Sequence, residues 1–270
     1  MTARENILCC QFYYQKQLHR FFQMTPIFFN NLSKSFSYGF RGRQKVLKSI
    51  SLEVEQGEVF GFLGPNGAGK STAINTTLGF IKPDNGEVLI NEISSRETSA
   101  RKYIGYLPEH PVFYEHLKAC ELLEFSGLAS GMQKQELKTR IDPILEKMEL
   151  LPFKNRLVKT FSKGMKQRIG LAMAMIADPP ILILDEPMSG LDPMGRKLVT
   201  DLILELKAAG KTIFFSTHIL NDVEVLCDRI AVLHKGSILY SGSTRDFISE
   251  SGNLEDAFME LVKKDLAVGG

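Results

Sequence analysis

The chain has 270 residues, 44% hydrophobic and 24% charged, enough apolar material for one large domain or two small ones with ample core. A formal net charge of +2 gives no basis for bulk capture of nucleic acid, and none is expected as a partner. Cys9, Cys10, Cys120 and Cys227 have neither metal nor disulfide spacing and read as reduced thiols, while no stretch reaches the roughly 18 apolar residues of a membrane-spanning helix.

Residues 1–23, MTARENILCCQFYYQKQLHRFFQ, are aromatic-rich without strand or turn grammar. Residues 1–24 are expected to be an extension with little fixed structure; the other reading is an amphipathic arm. No small-residue cleavage site of a signal peptide is present there. From Ile27 to Phe62 the pattern is strand-like, and SISLEVE alternates cleanly. The basic FRGRQK (Arg41, Arg43, Lys45) is expected as a solvated hairpin loop between two of these strands. Roughly Pro111 to Ile176 is mostly helical by i, i+3, i+4 spacing, including YEHLKACELLEFSGLASG and KQELKTRIDPILEKMEL.

After Pro180 the grammar changes. ILILD is a continuous apolar run, as in a parallel strand covered on both faces. A helix closed by Gly210 follows, then TIFFST, a short helix ILNDVEVL and the strand RIAVLH. Strands alternating with helices predict an α/β fold with a largely parallel sheet, here interrupted by a helical insertion of about residues 110–177. NLEDAFMELVKK predicts a short amphipathic C-terminal helix. The expected boundaries are a main domain over 25–262 and a tail over 263–270.

The chemistry begins with GPNGAGKS, Gly64 to Ser71, which fits G-x-x-x-x-G-K-[ST]. It follows the strand EVFGFL and opens a helical TAINTTLGF, the context a phosphate loop needs. The glycines let backbone N–H groups close around phosphates, Lys70 reaches the β and γ phosphates, and the Ser71 hydroxyl holds Mg²⁺. In ILILDEP, Asp185 ends a buried strand where a Mg²⁺-binding carboxylate is needed. Glu186 beside it is placed to take a proton from an attacking water. His218, in FSTHIL, ends a further strand on the ligand-binding edge of the sheet and is a candidate to hold that water and the γ-phosphate.

The absence of an Asn-Lys-x-Asp tetrad argues against guanine, and Phe36 or Tyr38 offers an aromatic face for adenine. FSKGMKQR poses a separate question. Ser162 is a good N-cap, and Met165, Ile169, Ala172, Met173 and Ile176 follow at helical spacing. Lys163 and Lys166 nevertheless occupy the first turn, which the helix dipole disfavours, and Gly164 weakens it. The result is an open, positive helix end suited to an anion.

These residues together resemble the nucleotide-binding subunits of ABC transporters, over nearly the whole chain from about residue 25. GPNGAGKST (Gly64, Pro65, Asn66, Gly67, Ala68, Gly69, Lys70, Ser71, Thr72) looks like the family's Walker A motif and ILILDEP its Walker B. SGLDP, with Ser189, Gly190, Leu191 and Asp192, looks like its D-loop, and His218 like its switch histidine. FSKGM stands where the signature LSGGQ is expected. The resemblance implies a P-loop ATPase cassette with a RecA-like parallel-sheet core, an antiparallel β subdomain and an inserted helical subdomain. It also implies ATP and Mg²⁺ as ligands and a head-to-tail dimer. In that dimer Ser162, Lys163, Gly164 and Met165 would face the γ-phosphate bound by the other subunit.

Two departures stand out. Lys163 and Met165 replace the signature's glycine and glutamine, and Glu109 in IGYLPEH occupies the place of the Q-loop glutamine. Glu109 would meet Mg²⁺ or the attacking water while adding negative charge. Both variants resemble exporter-type subunits that pair with a separate membrane protein and handle drugs, sodium, polysaccharides or antimicrobial peptides. The first functional reading is therefore the motor subunit of an exporter. It would act as a homodimer rather than a heterodimer, on the cytoplasmic face of the membrane, against an integral permease docked largely on the segment after Glu109. The second is a soluble ABC-type ATPase not coupled to transport. A different P-loop kinase or GTPase leaves FSKGMKQR and SGLDP unexplained.

Overall fold

The computed structural model describes residues 25–37, 42–249 and 252–268. The expected extension over 1–24, Tyr38 and Arg41 lie outside them. Two sheets organise the rest. β1 (Ile27–Ser37), β2 (Arg43–Val54), β4 (Asn85–Ile90) and β5 (Ile93–Ser94) form a four-stranded antiparallel sheet in the order β2-β1-β4-β5. The second sheet has six strands: β3 (Val59–Leu63), β6 (Ile104–Leu107), β7 (Ile181–Asp185), β8 (Thr212–Thr217), β9 (Arg229–His234) and β10 (Ser237–Ser243). Its order is β10-β9-β3-β8-β7-β6, parallel except for the β9–β10 hairpin.

The side-chain period of two explains why the central strands read as unbroken apolar runs. Phe60, Phe62, Ile181, Ile183 and Phe214 face the antiparallel sheet and pack with Phe29, Leu32, Leu47, Ile50 and Ile74. Val59, Leu63, Leu182, Leu184, Ile213 and Phe215 face the opposite way, into the helices. Phe214 stacks on Phe60 at 5.9 Å between ring centroids.

The helices are α1 (Lys70–Thr77), α2 (Ala119–Ala129), α3 (Lys134–Lys147), α4 (Lys163–Met175), α5 (Pro193–Ala208), α6 (Leu220–Leu226), α7 (Thr244–Ser249) and α8 (Leu254–Val268). Helices α2, α3 and α4 are the insertion between β6 and β7, so the expected α/β architecture with inserted helices and a separate antiparallel sheet is present.

Local expectations shift in three places. Arg43 and Lys45 belong to β2 rather than a loop, because Ser37, Phe36 and Ser35 pair with Arg43, Gln44 and Lys45. Tyr114 to Lys118 is not helical. That segment pairs with residues 157–159 through Val158 N–H to Leu117 O (3.0 Å) and Lys159 N–H to Glu115 O (2.9 Å). Helix α2 starts only at Ala119, where the Glu121 carboxylate accepts the Lys118 N–H at 2.9 Å. Helix α8 runs to Val268, beyond the boundary expected at 262.

Candidate active site

The loop after β3 and the carboxyl end of β7 enclose a cavity of about 210 Å³. Pro65, Asn66, Gly67, Gly69, Lys70, Ser71 and Thr72 line one wall, and Glu109, Asp185 and Glu186 line the other. The loop turns into α1 at Gly69, whose φ of 114° lies in the left-handed region that glycine tolerates. No acidic residue occupies the first turn of α1, and its leading N–H groups have no partner within the helix. An anion entering here meets backbone donors and the positive end of a helix dipole.

Lys70 is buried beneath this loop. Its Nζ donates to Gly64 O at 2.6 Å and lies 3.8 Å from Glu186 Oε1. Burial pulls the ammonium pKa down, and the carboxylates of Glu186, Asp185 and Glu109 oppose that shift. Asp185 is 5% exposed. Burial pushes its carboxyl up from the ordinary range, while the Ser216 hydroxyl, donating to Oδ1, favours the ionised form. Burial, then the charge of Asp185, pushes the Tyr106 hydroxyl up to about 12.

Glu186 is held in an uncommon conformation, φ 49°, with its N–H donating to Ser216 O at 3.1 Å. Non-glycine residues at positive φ cost about 1 kcal/mol or more and persist where the surroundings over-determine them. Glu186 Oε1 lies between Lys70, at 3.8 Å, and His218, whose Nδ1 donates to it at 2.9 Å. His218 therefore orients the proposed base directly and remains half-exposed.

Among the described residues, no cluster of three or more His, Cys, Asp or Glu side chains is arranged to hold a metal by itself. Ser71, Asp185 and Glu109 nevertheless line the same cavity. Their all-oxygen donor set fits a hard divalent cation that takes its remaining ligands from phosphate and water.

The second group of expected site residues gathers elsewhere. Ser162 caps α4 and accepts the Met165 N–H at 3.2 Å, so its hydroxyl is engaged by its own helix. Lys163 lies across the 189–192 loop: an ideal Cβ on Gly190 would stand 2.3 Å from Lys163 Cε. A Cβ on Gly164 would meet Leu191 Cδ2 at 3.6 Å. Asp192 caps α5 through the Gly195 N–H at 2.7 Å. None of Ser162 to Met165 or Ser189 to Asp192 lines the phosphate-loop cavity. The expected site residues thus fall into two separate groups, each a candidate half-site.

A link between the half-sites was not anticipated. Gln167, 4% exposed, donates from Nε2 to Pro187 O at 3.1 Å, tying α4 to the residue after Glu186. Phe36 does not line the cavity. It is 38% exposed on β1, and the Lys34 ammonium is 5.4 Å from its ring centroid. Val46 of β2 lines the cavity instead. Neither Val46 nor Ser216 carries a local sequence signal, because a strand valine and a strand serine read as ordinary sheet residues.

The family model described as ABC transporter matches residues 47–189. An ABC transporter ATP-binding protein of Synechocystis is 46% identical over 230 residues, 83% of this chain and 64% of that protein. The chain thus spans less than two thirds of that relative's length. A solved ATP-binding subunit of an ABC transporter superposes with a TM-score of 0.80 at 34% identity, over 88% of this chain and 100% of the other. A dimeric ATP-binding cassette in a post-hydrolysis state, bound to ADP and Pi, gives 0.75 at 28% identity, over 81% and 99%.

Proposed function

The chain belongs to the ATP-binding subunits of ABC transporters, and on that premise we propose that it is the ATP-hydrolysing motor of an exporter that works through a separate membrane permease. Residues 25–262 are read as the ATP-binding domain. Gly64 to Thr72 cradle the phosphates, Lys70 exchanges its carbonyl partners for phosphate oxygens, and Glu186, steadied by His218, takes the proton of the attacking water. The Ser71 hydroxyl and Asp185, with Glu109 at the rim, would hold Mg²⁺, which supplies neutralisation of charge between phosphate oxygens. Adenine stacking is assigned to Phe36, which lies outside the cavity lining, while Val46, which lines it, offers the base an aliphatic contact.

The separation of the two half-sites is the observation that carries this reading. Ser162 to Met165 and Ser189 to Asp192 form an open face away from the phosphate loop of their own chain, as expected if they cap ATP on a second copy. The similar dimeric cassette bound to ADP and Pi supports that arrangement. Docking against a permease is supported by exposed Val112 (94%) and Tyr114 (54%) in the segment after Glu109. No described helix is long and apolar enough to cross a membrane; in this reading the chain is held peripherally at the cytoplasmic face through the permease.

Glu186→Gln tests the proposal. Hydrolysis is expected to fall about 10²- to 10⁴-fold with ATP still bound. Light scattering is expected to show a dimer only with ATP, lost again on adding Ser162→Arg. A variant that binds ATP yet stays monomeric would count against self-pairing.

A further inference from the structure

The β9–β10 turn grips the phosphate loop from outside. His234 pairs with Ser237 across a two-residue turn, Lys235 and Gly236, with φ of 45° and 83°. Both values are those of a type I′ hairpin turn. The Gly236 N–H donates to Ala68 O at 3.0 Å, and Gly236 O accepts from the Lys48 N–H at 2.8 Å. A Cβ on Gly236 would stand 2.2 Å from Val46 O, so the turn lies flush on β2. Leu233 approaches the same loop, its carbonyl 2.3 Å from where a Cβ on Gly64 would be.

The turn is itself tied to the C-terminal helix. His234 is 7% exposed, and its Nδ1 donates to Asp265 Oδ2 on α8 at 2.7 Å. Helix α8 is anchored at its start, where Leu254 and Ala257 enter the helical core. One continuous path therefore runs from core-packed α8 through Asp265, His234 and the 235–236 turn to the carbonyl of Ala68. That carbonyl must point away from the cavity for the loop's N–H groups to point in.

We infer that His234 and Asp265 are a positioning pair: they brace the phosphate loop in its binding shape, making α8 a determinant of ATP affinity. This rests on the ATP-binding reading above. Neither residue touches the reacting atoms, so the brace acts on nucleotide binding and not on the chemical step.

The experiment measures dissociation constants for a non-hydrolysable ATP analogue, together with kcat, in the full chain. Asp265→Ala is expected to weaken binding about five- to tenfold with kcat within about twofold. Asp265→Asn keeps an acceptor for the His234 Nδ1–H and is expected to restore wild-type affinity. His234→Leu removes the same bond from the other side and is expected to match Asp265→Ala. The brace is overturned if Asp265→Ala and His234→Leu lower only the melting temperature and leave affinity unchanged, or if Asp265→Asn loses as much affinity as Asp265→Ala. A wild-type chain that binds no analogue sinks the functional reading and the brace together; a wild type that binds, beside variants that bind equally well, sinks the brace alone.

Discussion

Asp185 illustrates how a buried carboxylate is kept usable. Burial favours its neutral form, Glu109 and Glu186 reinforce that, and the Ser216 hydroxyl and Lys70 oppose it. Ser216 is fully buried and makes this bond from the neighbouring strand, where Asp185 pairs with Ser216 in register. Removing the hydroxyl removes a bond to the ionised form, so the Asp185 pKa should rise further. In Ser216→Ala the acidic limb of kcat/KM should therefore move to higher pH, with a larger loss at pH 6 than at pH 8. An unmoved limb would mean that ionised Asp185 is not what the acidic limb reports. In this variant the Glu186 N–H loses its longer contact to the Ser216 hydroxyl (3.3 Å) but keeps its bond to the Ser216 carbonyl at 3.1 Å, so the 185–187 turn retains its backbone tie.

Strand β6 shows why a short element can matter more than its length suggests. It has four residues, pairs only with β7 among the described residues, and leads directly to Glu109. Its periodicity is too brief to announce a strand, and only the parallel register with Ile181 to Leu184 reveals it. Gly105 lets α4 lie against it: an added Cβ would stand 2.0 Å from Ala174 O and 2.8 Å from Leu182 Cδ2. A backbone carbonyl in a helix cannot swing aside as a side chain can. Gly105→Ala should therefore cost about 2 kcal/mol of stability by overpacking, read from urea midpoints. An unchanged midpoint would show that α4 slides freely over β6. The converse case is α2, where YEHLKACELLEF carries helical spacing from Tyr114 onward. Pairing of residues 115–118 with 157–159 overrides the spacing, and the Glu121 carboxylate accepting the Lys118 N–H sets the start.

For the molecule as a whole, the end of the parallel sheet opposite the cavity holds a buried carboxylate that ties stability to pH. Glu58 is 7% exposed, and burial pushes its carboxyl from 4.5 up to about 7. The Glu55 N–H at 2.7 Å and Arg229 at 3.2 Å pull the other way without prevailing. The folded state thus prefers Glu58 protonated. Its contribution to stability is complete below the unfolded value of 4.5 and is lost as pH rises through about 7. Glu58→Gln keeps an acceptor for the Glu55 N–H but cannot ionise. The fall in unfolding free energy from pH 4.5 to pH 7.5 should shrink in this variant by on the order of 2 kcal/mol. An identical fall in both proteins would place the titration elsewhere.

The phosphate loop, the paired carboxylates of β7, the histidine after β8, the capped start of α4 and the alternation of strands with helices were all legible in the linear chain. Each is a local pattern, in which spacing along the backbone already dictates which groups share a strand tip or a helix end. Ser216 beside Asp185, Val46 on the cavity, Gln167 under Pro187, His234 against Asp265 and the burial of Glu58 were not legible. Apart from the Glu55 N–H, three residues from Glu58, the partners that hydrogen bonds join to them lie 20 to 171 residues away. Neither serine in a strand nor glutamate before one announces a partner by type. Which of these groups meet is decided by sheet order and by the packing of the sheets and helices around them, because burial and long-range bonding exist only once the chain has closed on itself.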